Sequence, residues 1–192
     1  MQELKNCRKC GLAHTRTQVV PGTGAEDARI MFTAEAPGKQ EDRLGVGFSG
    51  SAGKIFDEIL AHLGLTRDVI WLNNAVRCRP TDTGAKNRAP HPSEIAACRP
   101  WLEQDLRRVQ PEIMVTLGRT AFFSVTGEVN FTQFRGKLYP ATVPLFPLAH
   151  PAYLIYRKTA VNEYRQDLEQ LRQLLLKRNI PLLPPLPSRF MG

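Results

Sequence analysis

Short apolar runs alternate along the chain with longer amphipathic stretches, the arrangement expected of a parallel sheet covered by helices. Residues 29–34 (RIMFTA), 69–76 (VIWLNNAV), Ile113–Leu117 (IMVTL) and 144–149 (PLFPLA) read as strands. Between them, residues 53–63 put Ile55, Phe56, Ile59, Leu60 and Leu63 on one helical face. Pro92–Val109 opens with Pro-Ser-Glu, a helix-start signal, and spaces Ile95, Leu102 and Leu106 along another. Residues 119–125 form a shorter candidate helix. Residues 160–177 form a long one, with Leu168, Leu171, Leu174 and Leu175 as its buried stripe.

The pattern predicts an α/β fold of one domain over residues 1–180, without internal repeats or a dividing linker. The segment 181–192 (PLLPPLPSRFMG) is too rich in proline for regular structure and is expected to lie on the surface or be disordered. Residues 139–151 hold four prolines and read as a rigid loop system around the last strand. At 192 residues the chain can bury a substantial core without help from a metal.

Charge narrows the partners. Lys and Arg number 26 against 18 Asp and Glu, a net charge of +8, which favours a polyanion such as nucleic acid. No apolar stretch approaches the roughly 20 residues of a membrane span, so no membrane partner is expected. The first ten residues are polar and unlike a signal peptide, so a reducing cytoplasm is the expected compartment and disulfides are not.

The four cysteines are Cys7, Cys10, Cys78 and Cys98. A Cys-x-x-Cys pair brings two thiolates onto one metal, and two further cysteines complete a tetrahedral set. Structural zinc sites usually combine two tight Cys-x-x-Cys pairs, whereas nineteen residues separate Cys78 from Cys98. Spacing alone leans toward iron-sulfur and leaves zinc open.

Ligands of doubly wound sheets bind beyond the carboxyl ends of the strands. Three of the four predicted strand ends are chemically loaded. The first runs into Glu35-Ala36-Pro37-Gly38, then Glu41-Asp42, then Phe48-Ser49-Gly50-Ser51-Ala52-Gly53 at a helix start; the second ends in Asn73-Asn74; the last runs into His150-Pro151-Ala152-Tyr153-Leu154. Singly, each has a plain structural use: solvated carboxylates, a capped helix, a core phenylalanine, a loop histidine. Their convergence on one end of one sheet points to a site.

These segments, with Asn-Ala-Val-Arg-Cys-Arg-Pro at 74–80, Asn-Arg-Ala-Pro at 87–90 and Glu-Ile-Ala-Ala-Cys at 94–98, resemble the family 4 uracil-DNA glycosylases, the iron-sulfur branch of that superfamily. The resemblance runs in order from Cys7 to Leu154. It implies a three-layer fold with a central four-stranded parallel twisted sheet flanked by helices. It also implies a 4Fe-4S cluster on Cys7, Cys10, Cys78 and Cys98, and hydrolysis of the N-glycosidic bond of a flipped deoxyuridine in single- or double-stranded DNA, by a monomer. The family usually has Gly at position 34 and Pro at position 47, where this chain has Ala34 and Gly47.

Such an enzyme reads an extruded base by stacking and edge hydrogen bonds. Phe48 is expected against the uracil face. The Asn74 amide matches O4 and N3 of uracil and mismatches cytosine. His150, with backbone amides near Glu35 and Ala36, is expected at O2, where negative charge develops. Glu35 or Glu41 is expected to stabilise the sugar cation or orient water; Glu41 has a competing use, crowding the uracil 5-position against thymine. DNA contact is expected from Ser49, Ser51, Arg79, Lys86 and Arg88, with Tyr153 or Leu154 as a wedge. His91 is the position to check for covalent trapping of uracil, a habit of a related branch. The competing readings are a metal-containing nucleic-acid-binding module without catalysis, which leaves Glu35, Phe48, Asn74 and His150 unexplained, and a glycosylase for another deaminated base.

Overall fold

A computed structural model describes residues 2–186 of the chain. Strands β1 (Thr23–Gly24), β2 (Ile30–Ala34), β3 (Trp71–Asn74), β4 (Ile113–Leu117) and β5 (Leu145–Leu148) form one sheet in the order β1-β3-β2-β4-β5. The four predicted strands are all present and parallel. The two-residue β1 adds an antiparallel edge that no apolar pattern in the sequence marks.

The helices are α1 (Gln2–Lys5), α2 (Lys39–Leu44), α3 (Ser51–Leu63), α4 (Pro92–Val109), α5 (Arg119–Thr126), α6 (Phe131–Phe134), α7 (Ala152–Tyr156) and α8 (Val161–Lys177). Every residue of the four parallel strands is buried, so both sheet faces are covered. Alternation along β2 divides the layers. Ile30, Phe32 and Ala34 join the large core under α3 and α8, while Met31 joins a second core with Val109 of α4 and Met114.

The predicted helical faces are the buried ones: Ile55, Phe56, Ile59, Leu60 and Leu63 in α3, and Leu168, Leu171 and Leu175 in α8, where the expected Leu174 is only partly covered. Burying one such side chain stabilises the fold by roughly 1.5–3 kcal/mol. In α4, Leu102 and Ile95 are buried with Cys98 and Val109, and Leu106 is partly covered. Residues 181–186 are irregular, with the Leu183 and Leu186 amides donating to Gly64 O at 2.8 Å and Ala61 O at 3.1 Å. Residues 187–192 of the predicted proline-rich tail lie outside the described residues. Among the described residues, no helix is long and apolar enough to cross a membrane.

The chain leaves β2 toward β3 on one side and reaches β4 on the other, so the sheet's switch point lies between the carboxyl ends of β2 and β4. Glu35 sits there.

Candidate active site

A cleft of about 540 Å³ opens at this end of the sheet, lined by Glu35, Ala36, Glu41, Phe48, Asn74 and His150 among others. Three strand ends, α2 and the turn before α3 deliver these groups. Asn74 is the last residue of β3; alternation turns its neighbour Asn73 to the other face, where Asn73 binds Thr33 Oγ1 at 2.8 Å and Asp105 at 2.8 Å. Asn74 is left to the cleft.

Phe48 adopts a left-handed backbone, φ 50°, uncommon for a bulky residue and frequent at functional turns. The turn is possible because α3 starts hard against it: a Cβ on Gly53 would stand 1.9 Å from the Phe48 carbonyl oxygen. The Phe48 ring stacks on Phe56 with centroids 4.5 Å apart, and lies 5.8 Å from the His150 ring at 19°.

Protein encloses most of His150, and this desolvation holds its pKa down to about 4 against a weak opposing pull from Glu41. The imidazole is therefore neutral at pH 7. Its Nδ1 accepts the Ala152 N–H at 3.2 Å, which leaves the proton on Nε2.

The two glutamates differ. Glu35 Oε2 accepts a hydrogen bond from Thr120 Oγ1 at 2.6 Å. Glu41 uses both oxygens on backbone: Oε2 accepts the Gly38 N–H at 3.1 Å and Oε1 the Gly50 N–H at 2.8 Å. Glu41 thus ties the turn after β2 to the start of α3, a clamp between two cleft walls, and this occupation argues against its expected catalytic duty.

All four cysteines line a second, small cavity with Arg16 and Arg77. Arg16 Nη1 donates to Cys78 Sγ at 3.3 Å and the Arg77 N–H donates to Cys98 Sγ at 3.2 Å, contacts that favour thiolates. Burial acts the other way, raising the Cys78 thiol and pushing Cys98 up to about 12. Among the described residues, no three His, Cys, Asp or Glu side chains are gathered to hold a single metal ion. A zinc ion would draw four sulfurs to about 2.3 Å from one centre, whereas a cubane offers each cysteine its own iron. Four thiols lining one cavity, two of them accepting hydrogen bonds, are the donor set that a thiolate-bound iron-sulfur cluster takes.

A sequence model of the uracil DNA glycosylase superfamily matches residues 21–173, the span that holds every cleft residue named above. The chain belongs to the uracil DNA glycosylase superfamily. It is 37% identical to a type-4 uracil-DNA glycosylase of Archaeoglobus fulgidus, over 93% of this chain and 92% of the relative. It is 39% identical to one of Sulfurisphaera tokodaii, over 91% and 83%. A type-5 uracil-DNA glycosylase of Pyrobaculum aerophilum is 30% identical over 81% of this chain and 73% of its own.

As a superfamily member the chain departs from the expected DNA-contacting set in three places. Leu154 is 1% exposed in the main core, where it anchors α7, which leaves Tyr153 as the exposed member of the expected wedge pair. Arg79 is 5% exposed and spends its guanidinium on Asn87 Oδ1 at 2.6 Å and the Gly84 and Ala85 carbonyls, holding the 80–90 loop together from inside. Arg88 lines the cleft but is paired with Glu94 through two bonds and with Asp82, and these bonds raise its pKa further.

Lys86 is exposed, and so are Ser51, which lines the cleft, and Tyr153. Ser49 is half-buried and does not line the cleft; its Oγ is buried without a protein partner, so the hydroxyl is not presented to DNA. His91 is the exposed N-cap of α4 and does not line the cleft.

Thr120, Gly118, Ile155 and Tyr156 also stand at the site and carry no signal in the sequence. Ile155 and Tyr156 line the cleft, and Tyr156 is 84% exposed. Five residues of α7 are too few to show a period, so nothing in the sequence told Leu154 apart from its neighbours.

Proposed function

We propose that this chain excises uracil from DNA, hydrolysing the N-glycosidic bond of a flipped deoxyuridine and leaving an abasic site. The observation that carries the reading is the meeting of Asn74, Phe48, neutral His150 and Glu35 in one cleft at the switch point of the sheet. The type-4 names of its relatives agree with it.

Uracil enters against Phe48, whose ring is already supported from behind by Phe56. The Asn74 side chain pairs with O4 and N3, a donor and an acceptor in the order that cytosine lacks. As the bond to the sugar breaks, negative charge gathers on uracil O2, and the Nε2–H of His150 meets it; a neutral donor does this without handing over its proton. Ala36 and the adjacent backbone line the same wall. Glu35 faces the sugar and stabilises its positive character or orients the attacking water. Glu41 holds the two cleft walls together.

Cys7, Cys10, Cys78 and Cys98 would hold a 4Fe-4S cluster, with the Arg16 side chain and the Arg77 N–H donating to two of the sulfurs. When bound, it supplies an architectural cross-link between the N-terminal arm and the segment after Asn74. The exposed Ser51, Lys86 and Tyr153 contact DNA, and the +8 net charge draws it in. The protein works as a monomer in the cytoplasm, as one domain spanning 1–180 with 181–192 as a tail.

The test is an oligonucleotide with a single deoxyuridine, treated with cluster-loaded protein and then alkali. Strand breakage at that position is expected, with none at thymine or hypoxanthine. No abasic site at any salt concentration would leave a DNA-binding module; breakage at hypoxanthine alone would mean a different base.

A further inference from the structure

The switch point joins two connections that leave the sheet in opposite directions, Glu35 after β2 and Gly118-Arg119-Thr120 after β4. They are bridged by the hydrogen bond of 2.6 Å from Thr120 Oγ1 to Glu35 Oε2. We propose that Thr120 is the positioning residue for the Glu35 carboxylate, selecting its rotamer and leaving Oε1 as the oxygen that faces sugar or water. The proposal rests on the reading of Glu35 as the carboxylate at the sugar.

One physical argument and two observations support it. A free glutamate samples many rotamers, and the cost of freezing it falls on whatever holds it; a β-branched threonine is a stiff holder, since its own χ1 is restricted. Thr120 lies in the first turn of α5, an eight-residue helix, so its hydroxyl brings the carboxylate to a positive helix end. The same corner also braces His150: Gly118 takes φ +93°, its N–H donates to Leu148 O at 2.7 Å, and a Cβ there would stand 3.2 Å from His150 Cβ. One short turn therefore sets the spacing between the group at the sugar and the group at uracil O2. A misplacement of about 1 Å in such a pair can cost on the order of a hundredfold in rate.

The experiment is single-turnover excision on the deoxyuridine oligonucleotide by the cluster-loaded protein and its Thr120→Val, Thr120→Ser, Glu35→Gln and Thr120→Val/Glu35→Gln variants. Affinity for an oligonucleotide bearing an abasic site and the melting temperature are measured beside it. Thr120→Val is expected to slow excision about tenfold or more, the scale of one charge-assisted hydrogen bond, with affinity unchanged. Thr120→Ser, which keeps the hydroxyl, is expected within about threefold of wild type, and the double variant no slower than Glu35→Gln alone. Thr120→Val at the wild-type rate while Glu35→Gln is slow overturns the role of Thr120 alone, as does a Thr120→Ser variant as slow as Thr120→Val. Glu35→Gln at the wild-type rate overturns the Glu35 reading beneath it. If Thr120→Val does not fold, the Ser variant and the Thr120→Ala variant decide in the same way.

Discussion

The Thr17 N–H donates to both carboxylate oxygens of Asp42, at 2.9 and 3.1 Å, and Asp42 is 3% exposed. This bond pins the arm that follows Cys7 and Cys10 to Asp42 of α2, and Glu41, one residue earlier in the same helix, clamps the cleft. Arg16 on the same arm reaches Cys78, and the Val20 N–H reaches Arg77 O at 2.8 Å. Cysteine site and cleft are thus joined through two adjacent acidic residues that face different ways.

Asp42→Ala leaves the Thr17 amide without its buried acceptor, a loss of about 1–3 kcal/mol. Denaturant unfolding should show it. The arm should also loosen, so iron should leave the loaded variant faster under a chelator; release at the wild-type rate would mean the arm is held without Asp42.

Glu41→Ala removes both halves of the clamp. The turn at Gly38 and the start of α3 at Gly50 then part, and the expected signature is a rise in KM for uracil-containing DNA that exceeds any fall in kcat. A fall confined to kcat would return Glu41 to a role at the reacting atoms.

His150 gives stability a pH dependence of known sign. Its folded pKa, about 4, lies below its ordinary value of 6.5, so the unfolded chain binds more protons between those values. Stability is full above pH 6.5 and is lost as pH falls toward 4, by at most about 3 kcal/mol because part of the ring is exposed. His150→Asn should flatten that slope in urea titrations run at pH 4.5 and pH 7, where an unchanged slope would assign it to other groups.

Lys86 and Arg79 should separate. Lys86→Ala removes an exposed charge and should lower the slope of log affinity for DNA against log salt by about one. Arg79→Ala should chiefly destabilise the 80–90 loop, visible as early proteolytic nicking there; a drop in salt slope without nicking would restore it to the DNA surface.

Much of this was legible in the sequence because burial writes a period into the chain. Strands β2 to β5 and helices α3, α4, α5 and α8 follow from it, since each buries a stripe or a run. What carries no period was lost: β1 has two residues, and α7 has five. The cleft residues Glu35, Phe48, Asn74 and His150 were found because strand ends can be located. The burial of Arg79 and Leu154 was not legible because residue type speaks for exposure, while here an arginine folds its fork onto loop carbonyls and a leucine completes the core. Thr120 was invisible, since its partner lies 85 positions away.

A crystal structure of the protein with free uracil tests the central claim most directly. The base is expected flat against Phe48, with the Asn74 amide at O4 and N3 and His150 Nε2 within hydrogen-bond distance of O2. Uracil bound elsewhere, or seated with O2 turned away from His150, would contradict it.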